Sequence, residues 1–394
     1  MKISIIEFSV ENFKIFQEKV TFSMLARKSQ HTFQSNGENL LKTSLIYGPN
    51  ASGKSTLLEA FILLKAVILN TINNFEKLTL LYQPFALSLA KEKPIFCEII
   101  FSLEKKILKY NFSFLREEIV TENLFEILAT GKEKKYLIRK GQKIEVFADF
   151  KKSQDVAKQK TRKEVLFLSA AAQWNNELAM QIIDGLKNIE IISGNKSARY
   201  GGYTVKLCKK DESKAKILNF LQEADFSISD LELAMETMDT KETGTVFFAH
   251  NKFDAKGSQA GSSKFNLGHE SDGTQRYFEV LGPIIQTLEQ GKVLLIDEFD
   301  NSLHPYLTKF MLELFENAKN NPQNAQLIVT THDTSLLSHK EFHKEQFWFT
   351  EKNKFGAGNL FSLAEFKTQR NDTEFAKKYL EGRFGALPFI NFKN

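Results

Sequence analysis

Cysteine is scarce. The 394-residue chain has two, Cys97 and Cys208, with no paired spacing. That excludes a disulfide framework and points to a reducing compartment. Long apolar runs are missing as well. Met1 to Val10 alternates apolar and polar residues and lacks the apolar stretch of a signal peptide. The longest run, Phe61 to Leu69, contains Lys65 and is too short to span a bilayer. A cytoplasmic protein that does not enter membranes is expected. No heptad seam runs far enough for a long coiled-coil arm. Neither sign of charge is in large excess: the net charge is +5, compatible with nucleic acid without arguing for it. Against these absences stand 36 Phe, with many Lys, Asn and Ile, which we read as genomic base composition. Hydrophobic (42%) and charged (26%) fractions are ordinary for a globular chain with core enough for two or three domains.

One stretch carries chemistry outright. Gly48-Pro49-Asn50-Ala51-Ser52-Gly53-Lys54-Ser55-Thr56 fits the P-loop pattern G-x-x-x-x-G-K-[ST] without a mismatch. Ser44 to Tyr47 before it reads as an apolar strand, and Thr56 to Leu69 after it as a helix without Gly or Pro. Strand, glycine-rich turn and helix aim backbone N–H groups and a helix N-terminus at phosphate. In that arrangement Lys54 would meet the β- and γ-phosphates of ATP, and the Ser55 hydroxyl Mg²⁺.

A second acidic element lies far downstream. Val293-Leu294-Leu295-Ile296 ends in Asp297-Glu298, a buried strand delivering two carboxylates at the edge where α/β sheets bind ligands. Asp297 would hold Mg²⁺ through water, and Glu298 would orient and deprotonate the attacking water. Gln326 to Thr331 is another apolar strand and ends in His332. Glu270-Ser271-Asp272-Gly273-Thr274-Gln275-Arg276 precedes a helical run, Tyr277 to Leu288. Ser271 and Gly273 offer a hydroxyl, a close-approach backbone and a helix N-terminus, again suited to an anion. Ser271 as a plain helix cap is the simpler alternative.

In chain order, Ile3 to Val10 and Lys19 to Met24 form an expected hairpin. Lys14 in its turn either lies near the nucleotide or is an exposed turn lysine. Three strands are expected at Ile95–Leu103, Ile107–Leu115 and Tyr136–Ile138. Phe150 to Glu164 carries Lys151, Lys152, Lys158, Lys160, Arg162 and Lys163, which grip phosphates or form a solvated face. Val165 to Ile192 reads as largely helical, Lys214 to Ala224 as a second helix, and Ala255 to Lys264, rich in Gly and Ser, as a flexible turn or loop. His339 and His343 have the i, i+4 spacing of a metal pair but lack a surrounding ligand cluster.

These motifs, in this order, resemble ABC-type ATPases. The N-terminal hairpin is similar to SMC-type and RecF-type heads. By that resemblance Ser271 and Gly273 belong to a degenerate signature motif, Phe299 to Pro305 to the D-loop, His332 to the switch histidine, and Gln83 to the Q-loop that touches Mg²⁺. Asp297-Glu298-x-Asp300-Asn301-Ser302-Leu303-His304-Pro305, Thr331-His332-Asp333-Thr334-Ser335-Leu336-Leu337 and Tyr379-Leu380-Glu381-Gly382-Arg383-Phe384-Gly385-Ala386-Leu387-Pro388 resemble the RloA/AbiLii-type ATPases, relatives of the OLD nucleases. The implied fold is α/β: a P-loop NTPase of ABC-ATPase head type with a peripheral antiparallel sheet and an inserted, mostly helical lid. Residues 1–150 and 263–394 would form the head and 151–262 the lid. The implied function is an ATP- and Mg²⁺-dependent switch in phage defence, working as a homodimer that sandwiches ATP. OLD proteins carry a fused nuclease after the ATPase; the short stretch after His332 leads us to expect a separate RloB-like nuclease partner. The alternative is a RecF/SMC-like DNA-repair clamp.

Overall fold

The computed structural model describes residues 1–29, 32–70, 76–88, 92–147, 150, 155–193, 198–224, 226–238, 241–339, 341–367 and 374–388. The chain opens with strands β1 (Ile3–Glu11) and β2 (Val20–Ser23), hairpin β3 (Thr32–Ser35) and β4 (Glu38–Leu41), then β5 (Thr43–Tyr47) and helix α1 (Lys54–Asn70). Helix α2 (Glu76–Leu81) leads to β6 (Ile95–Leu103), β7 (Lys106–Phe114), β8 (Ile119–Ile127), β9 (Glu133–Lys140) and β10 (Lys143–Val146). Next come α3 (Asp155–Lys160), α4 (Phe167–Gln173), α5 (Glu177–Lys187), β11 (Ile189–Ile192), α6 (Ala198–Leu207) and α7 (Asp211–Glu223). Strands β12 (Ile228–Met238), β13 (Lys241–Phe253) and β14 (Gln259–Asn266) precede α8 (Asp272–Gln290) and β15 (Val293–Ile296). The chain then forms α9 (Pro305–Glu316), β16 (Gln326–Thr330), β17 (Phe347–Lys352), β18 (Gly358–Ser362) and α10 (Phe375–Leu380). Among the described residues no helix is long and apolar enough to cross a membrane.

The central sheet runs β11-β15-β16-β5-β17-β18, parallel from β11 through β17, with β18 antiparallel at the edge. The P-loop strand β5 is thus separated from the carboxylate strand β15 by β16 alone. All residues of β5, β15 and β16 are buried, as expected for parallel strands covered on both faces. Alternation divides them. Val293 and Leu295 enter a core shared with α1 and the antiparallel sheet, whereas Leu294 and Ile296 enter a second core with α8 and α9. The peripheral sheet, β10-β9-β8-β7-β6-β1-β2, is antiparallel throughout. The architecture is α/β: a mostly parallel central sheet containing the P-loop strand, beside a peripheral antiparallel sheet.

Two expectations need correction. The interval 151–262 is helical only to Glu223, apart from β11, which pairs with β15 inside the central sheet. Beyond it β12, β13 and β14 form a three-stranded antiparallel meander. The stretch Ala255 to Lys264, expected as a flexible turn or loop, is turn only at its start and strand from Gln259 on. Its residues are nearly all exposed, so no buried face imposes alternation and the backbone ladder alone makes the strand. Of the basic run, Lys151 and Lys152 lie outside the described residues.

Helix α8 carries Pro283 in its interior. A proline removes a helical N–H and strands the carbonyl one turn earlier. Here that carbonyl, on Glu279, accepts a 3.1 Å bond from the Thr204 hydroxyl of α6, which in turn accepts from Gly282 N at 3.2 Å. Gly282 allows the contact, since a Cβ there would stand 2.9 Å from the Thr204 Cα. Ser271 caps the start of α8 by accepting from Thr274 N, and Gly291, left-handed at φ 61°, ends it.

Candidate functional site

The P-loop follows β5 directly. Gly48 (φ 149°) and Gly53 (φ 121°) both hold backbone in the region that favours glycine. A Cβ at Gly53 would lie 2.9 Å from Ile15 Cδ1 and 3.0 Å from Phe16 Cζ, so the β1–β2 turn is packed on the loop. Ser52 Oγ bonds Thr350 Oγ1 at 2.6 Å and ties the loop to β17. Lys54, buried, donates to Gly48 O at 2.7 Å and Pro49 O at 3.1 Å. Burial lowers its pKa, and the acids Asp297, Asp300 and Glu298 oppose that shift. A cavity of about 320 Å³ is lined by Asn50, Ala51, Gly53, Lys54, Ser55, Thr56, Glu298 and His332. The phosphate-facing loop, the second carboxylate and the strand-end histidine therefore share one space.

The two carboxylates have different surroundings. Asp297 is buried, and its Oδ1 accepts from Ser55 Oγ at 3.2 Å and from Thr330 Oγ1 at 2.5 Å. Glu298 is exposed at the cavity mouth and sits at φ 49°, a conformation uncommon outside glycine. Its N–H donates to Thr330 Oγ1 at 2.8 Å, and the next N–H, of Phe299, to Thr330 O at 2.9 Å. Thr330, at the end of β16, thus holds both acids. Nothing in its own neighbourhood of sequence marks it; only the adjacency of β15 and β16 does. His332 N donates to both Asp300 oxygens at 3.1–3.2 Å. Desolvation and then the Lys54 ammonium lower the His332 pKa, against Asp300, Glu298 and Asp297, so its ring favours the neutral form near pH 7. Ser55 and Asp297 also line a smaller adjoining cavity with Glu59 and Glu298. A hydroxyl and a carboxylate oxygen at this separation are the hard donors that Mg²⁺ takes, with water completing its shell.

Ser271 and Gly273 line neither cavity. Ser271 acts as the α8 cap, the simpler reading, and its Oγ also bonds Thr274 Oγ1 at 2.8 Å. Gly273 packs on the segment after Glu298: a Cβ there would stand 3.0 Å from Ser302 O. Gln83 is exposed, and its Nε2 is 3.5 Å from Leu80 O; it does not line either cavity beside Ser55. Lys14 pairs with Glu59 at 2.7 Å and so points toward the smaller cavity. His339 and His343 are not one turn apart on a helix. A 3₁₀ segment ends at Ser338, and His343 caps another, Lys344–Gln346, through Glu345 N. The i, i+4 rule needs an α-helix and fails here. His339 instead approaches Glu313 and Glu341.

No curated protein matches the chain. Among solved structures, the crystal structure of an SMC head bound to the C-terminal winged-helix domain of ScpA aligns at 13% identity and TM-score 0.44, covering 91% of this chain and 97% of that one. The family model described as "AAA domain, putative AbiEii toxin, Type IV TA system" matches residues 44–184 and 209–338, spanning the P-loop, the acidic strand and His332. With more than half of the chain matched, the protein belongs to this family of AAA-domain ATPases.

Proposed function

We propose that the protein is an ATP-hydrolysing switch that closes two heads over two ATP molecules and gates a partner effector in phage defence. The observation that carries this reading is the separation of the site into halves. Lys54, Ser55, Asp297, Glu298 and His332 gather around the P-loop, whereas Ser271 and Gly273 lie outside its cavities, at the start of α8. A second copy would supply them. Lys54 would exchange its bonds to Gly48 O and Pro49 O for phosphate oxygens. Ser55 and Asp297 would hold Mg²⁺, which neutralises charge on the β- and γ-phosphates when bound. Glu298 would take the proton of the attacking water, and His332 would read the γ-phosphate. The resemblance to RloA/AbiLii-type ATPases supports the defence role, with a separate RloB-like nuclease as the gated partner.

The test is the mass of Glu298→Gln by light scattering, with and without ATP–Mg²⁺. Dimerisation on ATP supports the switch; a monomer with ATP bound refutes the sandwich. A RecF/SMC-like DNA clamp is favoured by the basic residues Lys158 and Lys160 at the end of α3, followed by Arg162 and Lys163. It requires duplex DNA to drive assembly and stimulate turnover in a salt-dependent way.

A further inference from the structure

Arg276 lies in the first turns of α8 and is 6% exposed. Its Nη2 stands 3.4 Å from both Asp297 O and Glu298 O, while its Nε and Nη1 have no hydrogen-bond partner. Burying a guanidinium with donors unfilled is costly, and a methionine would fill similar space without that cost. The geometry explains its presence. The carbonyls of Asp297 and Glu298 belong to the two peptide planes that flank the Glu298 Cα. The N–H groups of those same planes are held by Thr330, one by its hydroxyl and one by its carbonyl. Each plane is therefore gripped at both ends, by Arg276 on one side and Thr330 on the other. Together they set φ and ψ of Glu298, which occupies the left-handed region. Thr330 is anchored in the central sheet. Arg276 rides on the helix whose N-terminus carries Ser271 and Gly273.

We propose that Arg276 is a positioning residue: it transmits engagement of the α8 N-terminus by the partner's ATP to Glu298 of its own chain, so that the two sites of a closed dimer hydrolyse cooperatively. The proposal rests on the two-headed reading above. It adds that one nucleotide, bound across the interface, sets the carboxylate that acts on the other.

The test uses full-length Arg276→Met and Arg276→Lys, each checked by thermal melting. In each, ATP turnover is measured against ATP concentration, and mass by light scattering with ATP–Mg²⁺. Arg276→Met is expected to dimerise with ATP and keep KM within about twofold. Its kcat should fall about 100-fold, the scale of a misplaced catalytic group, and its Hill coefficient should drop from above one to one. Arg276→Lys should recover part of kcat, because its ammonium has donors enough for both carbonyls but stops one bond short of the Nη2 position. Unchanged kcat and Hill coefficient in Arg276→Met, with a wild type that is cooperative and dimeric, overturn the role of Arg276 and leave the two-headed reading standing. Loss of kcat together with loss of dimerisation or a raised KM makes Arg276 a structural group and also overturns the proposal. Wild-type turnover by a monomer defeats the two-headed reading itself. Should Arg276→Met fail to fold, unchanged kcat in a folded Arg276→Lys overturns the clamp.

Discussion

Ser55 Oγ and Asp297 Oδ1 stand 3.2 Å apart although 242 residues separate them. One belongs to the first turn of α1 and the other follows β15, and the strand between them, β16, supplies the Thr330 hydroxyl to the same carboxylate oxygen. If these oxygens hold Mg²⁺, Asp297→Asn should raise the Mg²⁺ concentration for half-maximal ATP turnover at least about tenfold. Binding of a fluorescent ATP analogue in EDTA should be unchanged. An unaltered Mg²⁺ dependence would place the ion elsewhere.

Glu122 and Arg139 form an ion pair with both side chains fully buried. The Glu122 oxygens also accept from Tyr110 Oη and from the N–H groups of Phe167 and Leu168 at the start of α4. Arg139 donates further to the carbonyls of Gly141 and Val165. Removing one partner leaves a charge without compensation, at a cost of about 3–5 kcal/mol. Urea unfolding of Glu122→Ala should show that loss, and Glu122→Gln, which keeps an acceptor, a smaller one.

Glu316 is buried against Thr43 and Gln346, with its second oxygen unpartnered. Burial pushes its carboxyl up to about 7. Between the unfolded carboxyl range and pH 7 the folded chain keeps a proton that the unfolded chain has released. Stability contributed by this group is therefore complete below about pH 4 and falls as pH rises toward 7, by on the order of 3 kcal/mol. Relative to Glu316→Gln, the wild type should lose stability across that window in urea titrations. A gain over the same interval would contradict the assignment.

Thr204→Val keeps the shape of a fully buried side chain but removes the hydroxyl that bonds the Glu279 carbonyl. Loss of that donor to the carbonyl beside Pro283 should cost about 1 kcal/mol in thermal or urea unfolding. Thr204→Ser should cost less. A Thr204→Val protein as stable as wild type would mean that α8 relaxes around its proline unaided.

The site was legible where apolar strands end in chemistry. Leu45 to Tyr47 before the P-loop, Val293 to Ile296 before Asp297 and Leu327 to Thr331 before His332 are buried runs whose last residues emerge at one sheet edge. Thr330 and Arg276 were not legible, because each acts across a neighbour in space: Thr330 through the β15–β16 pairing and Arg276 through packing of α8 behind the acidic turn. The meander was hidden for a different reason. Gln259 to Asn266 has no buried face to write a period into the sequence, so Gly and Ser there read as loop. Gln83 was a reading by resemblance, and its exposed side chain turns toward Leu80 rather than toward Ser55.

The alternation of β15 between two cores sets what changes of length the chain tolerates. Inserting or deleting one residue within Val293–Ile296 would exchange the faces, sending Leu294 and Ile296 toward α1 and Val293 and Leu295 toward α8. The same slip would carry Asp297 off the Ser55 hydroxyl and Glu298 out of the grip of Thr330. At the β13–β14 turn, by contrast, Asp254 to Ser258 is exposed on every residue and meets no core. Natural insertions, or an engineered tag, belong at that tip. The interval from Lys292 to Asp300 admits no change in count.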